Sequence, residues 1–375
     1  MKKIFIVSFL MVISLAYGQQ SQIKQALRLT PKEQKAGMEF LVKYMRECDR
    51  DTLKADFLLT EVDYAYRARR TFPWCQALPD SIFMNDVLPY ASMDETREPW
   101  RAMFWDMFYP LVKDIKDVRV AIDTINRAVS RLVGVEYNTK RHKPNQSPRE
   151  SMAIKMASCS GLSIILTDVF RTMGIPSRIA GTPLWVSGEG NHNWSEVWID
   201  GQWYFTEYYP NAALNKSWFL ERAGKADKSD PKYWMYATSW KPLSAQYFPM
   251  VWAFGDKTVP GVDVTDFYIN LYNAEQAEAK NGVAVGFKLY EAEKGGRSSA
   301  DRVAADVQIY DKQGKIVCVG TTRGAKADMN DYLQFYLPEN QDFVAAYIGK
   351  DGRKINQKFL TGQGGVIVEL FMDFL

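Results

Sequence analysis

Apolar positions along this chain recur first at helical and later at strand spacing. From Thr30 to about Gly134 the spacing is mostly three and four residues, which predicts packed helices. Thr30-Pro31-Lys32-Glu33 has the form of a capping box with proline at the first helical position, so a helix is expected to start there. Val118, Ile122, Ile125, Val129 and Leu132 make one apolar stripe, closed by Gly134. Leu162, Ile165, Leu166, Val169, Phe170 and Met173 make another, which starts at the edge of Cys159 and is stopped by Gly174 and Pro176. The period then changes to two. Trp194 to Ile199 and Gln202 to Thr206 are rich in aromatic and β-branched residues, and Asp200-Gly201 between them predicts a two-residue hairpin turn. From about residue 259 the alternation continues. Val283, Val285, Phe287 and Leu289 share one face, Val307 and Ile309 repeat the pattern, and Gln313-Gly314 and Asp351-Gly352 sit where hairpin turns belong.

These patterns predict an α+β protein. A helical region over residues 19–134 precedes a core over 135–258, in which a helix packs on an antiparallel sheet. A β-sandwich follows over 259–375. Before all of this, Lys2 and Lys3 precede an apolar run from Ile4 to Ala16, and Ala16-Tyr17-Gly18 supplies small residues at the cleavage positions. Residues 1–18 therefore read as a secretory signal peptide, too short for a comfortable membrane span. The mature protein is expected in the periplasm or outside the cell, with no stable insertion in the membrane.

Charge narrows the partners. The chain has 47 basic and 44 acidic residues, and two of the basic ones belong to the leader, so the remainder is close to neutral. That balance offers no footprint for nucleic acid. One basic stretch, Lys140-Arg141-His142-Lys143, is flanked by Pro144 and Pro148 and reads as a solvated loop. No HExxH or CxxC spacing suggests a metal, no G-x-S-x-G suggests a serine hydrolase, and no glycine-rich phosphate loop is present. No cofactor is expected.

The chemistry narrows to a cysteine. There are four: Cys48, Cys75, Cys159 and Cys318. Cys48 follows Leu41, Tyr44 and Met45 at helical spacing and is expected in the core. A pairing of Cys48 with Cys75 has nothing in the pattern to support it. Cys159 is different, because it opens a helix. Unpaired amides and the positive end of the helix dipole surround that position and favour a thiolate. On this segment alone, a small buried core cysteine is the more ordinary reading.

The hairpin supplies what a thiol needs. With Asp200-Gly201 as the turn, Ile199 faces Gln202, Trp194 faces Glu207 and His192 faces Tyr209. All four of His192, Trp194, Glu207 and Tyr209 then project from one face. His192 and Glu207 are diagonal neighbours, so the carboxylate can hold one ring nitrogen and leave the other for the thiol. The chain has two histidines, and the other, His142, lies in the proline-flanked loop. The tryptophans at 185, 194, 198 and 203 are expected to pack in the core.

Residues 159–210 resemble the transglutaminase-like superfamily, whose members have a papain-like arrangement of cysteine, histidine and acid. The residues that carry the resemblance are Cys159 opening a helix, Gly174-Ile175-Pro176-Ser177-Arg178, His192-Asn193-Trp194-Ser195-Glu196, Trp203 and Glu207. Two departures from the pattern stand out. Glu207 stands where aspartate is usual, and Ala157-Ser158 precede the nucleophile where a glycine is often found. Glu196 is expected to support the strand rather than complete the triad.

The resemblance implies acyl transfer. Cys159 would attack a peptide or glutamine-type carbonyl, His192 would move the proton and Glu207 would orient the ring. Backbone amides at the helix start would stabilise the oxyanion of a thioester-forming step. Water as acceptor gives a peptidase or amidase, and an amine gives a cross-linker. The implied partner is a peptide or protein, cell-wall peptides included. A protein that keeps the fold and binds through its tryptophan-rich segment without catalysis is the alternative.

Overall fold

The computed structural model describes residues 22–188, 190–208, 214–253, 255–279, 282–328 and 331–373. The signal peptide expected over residues 1–18 and the residue expected opposite His192, Tyr209, lie outside them. The chain divides into two compact units, one comprising Met1–Leu214 with Asp227–Val264 and the other Asn215–Ala226 with Thr265–Leu375.

In the first unit the helical stripes form helices. The principal ones are α1 (Ala55–Thr71), α2 (Trp100–Val112), α3 (Val118–Val133) and α4 (Cys159–Thr172). Asp117 caps α3 by accepting the Arg119 amide at 2.7 Å, and Gly134 ends it at φ 67°, a left-handed conformation that costs glycine little. Five strands make one antiparallel sheet in the order β3-β2-β1-β4-β5. They are β1 (Ser177–Thr182), β2 (His192–Ile199), β3 (Gln202–Thr206), β4 (Tyr236–Thr238) and β5 (Gly261–Asp263). The hairpin register is the expected one, with Ile199 opposite Gln202 and Ser195 opposite Thr206. Asp200 (φ 49°) and Gly201 (φ 91°) both take positive φ, as this tight turn requires.

One apolar core runs through the helices and onto the sheet, joining Leu58, Phe104, Ile125, Ile165, Phe170 and Val197. At its centre lies α4, in which every residue after Cys159 is buried. Most polar side chains of this enclosed helix find partners inside the fold. Thr167 Oγ1 lies 3.1 Å from Ser195 Oγ on β2, and Arg171 donates to the carbonyls of Ser177 and Ala91 at 2.9 Å. Nearby, Arg101 and Glu61 form an ion pair at 3.1 Å with neither side chain exposed. Burial raises the Glu61 carboxyl to about 7 against the pull of Arg101, and burial brings Arg101 down to about 10. Arg101 also donates to the carbonyls of Val87 (2.7 Å), Leu88 (3.1 Å) and Pro89 (3.0 Å), which ties α2 to the preceding turn.

The second unit contains α5 (Thr265–Ala279) and two sheets. One has the order β8-β7-β10-β11, from Ile316–Thr321, Asp306–Tyr310, Asp342–Ile348 and Lys354–Leu360. The other has the order β9-β6-β12, from Leu333–Leu337, Val283–Tyr290 and Val366–Phe371, with β12 parallel to β6. Val285, Phe287 and Leu289 of one sheet share a core with Val307, Ile309 and Ala345 of the other, which makes a sandwich. Both expected turns are present, with Gly314 at φ 77° and Gly352 at φ 80°.

Several expectations need correction. The strand alternation does not begin at 259, because residues 265–279 are the helix α5. Thr30 does not cap a following helix. Its hydroxyl donates back to the Ala26 carbonyl at 2.6 Å, closing the helix over residues 22–29, and Lys32–Gln34 is a 3-10 turn before Lys35–Tyr44. Cys48 is exposed, because the helix breaks at Met45 (ψ 152°) and a new one starts at Glu47, out of phase with the Leu41 stripe. All four cysteines are free. Trp185 and Trp194 are buried as expected, whereas Trp198 and Trp203 are only half-buried. Among the described residues no helix is long and apolar enough to cross a membrane.

Removing one member of a buried ion pair leaves the other charge uncompensated. Arg101→Met is therefore expected to cost about 3–5 kcal/mol in urea denaturation. It should cost more than Glu61→Met, since it also orphans the carbonyls of Val87, Leu88 and Pro89.

Candidate active site

The site is assembled at one end of α4. Ser158 caps the helix, its hydroxyl accepting the Gly161 amide at 3.1 Å and donating to the Pro144 carbonyl at 2.5 Å. Cys159 is thereby the first helical residue, half-buried, with the amides of Ser160 and Asn193 directed at its sulfur. His192 is the first residue of β2 and Glu207 the first after β3, so both stand at the same end of the hairpin. Asn193 joins that end to the helix, its Nδ2 donating to Ser160 Oγ at 2.7 Å.

The three expected residues come together. His192 Nε2 lies 2.8 Å from Glu207 Oε1, and the thiol of Cys159 hydrogen-bonds the imidazole. Glu207 occupies one ring nitrogen and leaves the other to the sulfur, which is the geometry of an oriented base. Glu196 is engaged elsewhere. Arg178 Nε donates to Glu196 Oε2 at 2.6 Å across the β1–β2 ladder, and the same guanidinium lies 3.8 Å from the centre of the Trp203 ring. That leaves it in the supporting role expected of it. His142 is exposed in its loop.

Electrostatics favours a charge-separated pair. Burial raises the Cys159 thiol. The hydrogen bond and charge of His192, with the amides of Asn193 and Ser160, outweigh that effect and bring it below its ordinary range. Burial lowers the imidazole, but the hydrogen bonds and negative charges of Cys159 and Glu207 raise it well above the usual histidine value. Thiolate and imidazolium thus stabilise each other in a site where neither would charge alone.

Four further residues hold this geometry, and none of them was assigned that role from the sequence. Asn126 of α3 donates from Nδ2 to Thr206 Oγ1 at 2.7 Å and to the Glu207 carbonyl at 2.9 Å, which fixes the backbone that carries the acid. The signal was a lone amide within the apolar stripe between Ile122 and Val129. Asn193 and Ser158 are the second and third. The fourth, Gly181, lies opposite Asn193 on β1, and a Cβ there would collide with Asn193 Oδ1 and stand 2.7 Å from the His192 carbonyl. Behind the imidazole, the Trp194 ring centre lies 5.7 Å away and itself stacks on Trp185 at 6.3 Å. Among the described residues no group of three or more histidine, cysteine, aspartate or glutamate side chains is placed to hold a metal ion.

Fold and site together define a helix-on-antiparallel-sheet protein with a thiol, an imidazole and a carboxylate in one cluster. Residues 110–208 match the model of the transglutaminase-like superfamily. No curated protein shows significant similarity. Solved structures with similarity include a candidate cysteine protease from Cytophaga hutchinsonii (15% identity, TM-score 0.29, 37% of this chain and 47% of that one). The Bacillus anthracis TIE protein (13%, 0.18, 52% and 30%) and red sea bream transglutaminase (11%, 0.32, 78% and 66%) are also similar. The chain spans less than two thirds of the length of each.

Two outcomes are expected. Gly181→Ala should displace Asn193 and slow alkylation of Cys159 by iodoacetamide at neutral pH by about tenfold or more, with the fold retained by circular dichroism. In His192→Ala the thiol loses its hydrogen bond and counter-charge while burial remains, so its titration should move up in pH. Thiolate absorbance measured against pH checks this, and an unmoved titration would show that the ring does not activate the sulfur.

Proposed function

We propose that this protein is an exported cysteine-dependent acyl-transfer enzyme, acting as a peptidase or amidase on a peptide or glutamine-type amide. The observation that carries the reading is the hydrogen-bonded chain from the Cys159 thiol through His192 to Glu207 at the start of a buried, capped helix. The superfamily match over residues 110–208 spans all three. Export rests on Lys2, Lys3 and the apolar run that follows them.

The steps follow from the residues. The Cys159 thiolate attacks the amide carbonyl carbon, and the carbonyl oxygen takes the negative charge at the positive end of the α4 dipole. As the tetrahedral species collapses, the C–N bond breaks and the His192 imidazolium gives its proton to the leaving amine. A thioester remains on Cys159. His192, now neutral and still held by Glu207, takes a proton from water as its oxygen attacks the thioester; the C–S bond then breaks, releasing the carboxylic acid and restoring the thiolate–imidazolium pair. An amine in place of water would give cross-linking by the same steps.

The reactive form needs thiolate and imidazolium together. Activity should rise with pH as the lowered thiol ionises and fall as the raised imidazolium loses its proton. Glu207→Gln removes a negative charge that raises His192, so the alkaline limb should shift downward by roughly one pH unit while the profile keeps its bell shape. Digestion of a peptide library by the wild type and by Cys159→Ala tests the assignment, and the substitution is expected to reduce cleavage by about a thousandfold or more. Cleavage that persists in Cys159→Ala would remove it.

A further inference from the structure

The basic stretch read from the sequence as a solvated loop is tied at both ends to the two residues that precede Cys159. The Asn138 amide donates to the Ala157 carbonyl at 2.9 Å, and the Pro144 carbonyl accepts the Ser158 hydroxyl at 2.5 Å. Residues 139–143 therefore form a strap beside the start of the nucleophile's helix. The strap is held from within as well, since Gln146 Oε1 accepts the His142 amide at 2.9 Å.

Its charges are unequally compensated. Lys143 is engaged with Glu150 at 2.9 Å and with Thr96 at 2.8 Å, and nearby Asp94 accepts Asn145 Nδ2 at 2.5 Å. Among the described residues, Lys140 and Arg141 have no acidic partner. Arg141 donates to the Thr139 carbonyl at 3.0 Å, and its guanidinium lies 5.5 Å from the centre of the Trp252 ring. Trp252 is 59% exposed, although Met250, two residues earlier, is buried against Asn145. A single exposed tryptophan needs no explanation by itself. Here it lies under an arginine on a strap anchored to the two residues before Cys159, and tryptophan and arginine are among the residue types enriched where a bound chain is anchored.

We propose that Lys140, Arg141 and Trp252 form a substrate subsite that selects acyl donors carrying carboxylates beside the scissile amide. This rests on reading Cys159 as the nucleophile. Lys140 and Arg141 attract the carboxylates, and the Trp252 face takes the aliphatic part of the neighbouring residues. Acidic peptides are the class this surface fits.

The test uses the full chain with Cys159→Ala and two rhodamine-labelled octapeptides. The peptides are identical except that glutamate or glutamine flanks a central glutamine. Fluorescence anisotropy should show the glutamate peptide bound about tenfold more tightly, as two exposed charge pairs allow. That advantage should shrink in concentrated salt. Lys140→Glu combined with Arg141→Glu should reverse the preference, which a merely structural role for the strap would not do. Equal binding of the two peptides, or a preference that the charge reversal leaves in place, would overturn the subsite. Turnover of the same peptides by the wild type is read separately. Charge-selective binding supports the subsite whatever the turnover, whereas absence of turnover counts against the nucleophile assignment alone.

Discussion

Everything in the candidate site depends on the complete burial of α4. A helix enclosed on all sides cannot slide or rotate without breaking the contacts of Ile165, Leu166, Val169 and Phe170 at once. Its polar residues add directional constraints, with Thr167 against Ser195 and Arg171 on the carbonyls of Ser177 and Ala91. The position of Cys159 is therefore set by a dozen residues that have no part in the chemistry. Only the first residue is half-buried rather than enclosed, and it is the one that carries the thiol.

Burial alone would silence both groups, since it favours the neutral thiol and the neutral imidazole. The cluster reverses this through pairing. Each charge is stabilised by the other, by Glu207 behind the ring and by amides at the sulfur. Such pairing is sensitive to distance, which explains the structure around it. Asn126 fixes the backbone at Glu207, Asn193 ties the strand end to Ser160, and the missing side chain at Gly181 leaves room for Asn193. A glutamate, one methylene longer than the more usual aspartate, reaches the ring at 2.8 Å from a backbone held in this way.

The parts of the fold written in short-range pattern were legible. The α4 stripe, the Asp200-Gly201 turn and the register it imposes depend on neighbours within about ten residues, and all appear as expected. The face shared by His192 and Glu207 followed from that register. The failures lie where context decides. Cys48 continued a helical stripe in the sequence, but the chain breaks at Met45. Thr30 had the form of a cap and instead closes the preceding helix. Residues 265–279 form a helix of weak apolar periodicity, which short-range pattern does not distinguish from the strands that follow it.

The sequence by itself determined the residue types of the site and the elements that bear them: a thiol at a helix start, and an imidazole and a carboxylate on one hairpin face. Those follow from local periodicity and turn chemistry, which act over a few residues. Only the tertiary structure decided that the helix end meets the hairpin end, that Glu196 is occupied by Arg178, and that a basic loop is strapped beside the start of α4. These are contacts between segments 14 to 33 residues apart in the chain, settled by packing around α4 rather than by any preference of the segments themselves.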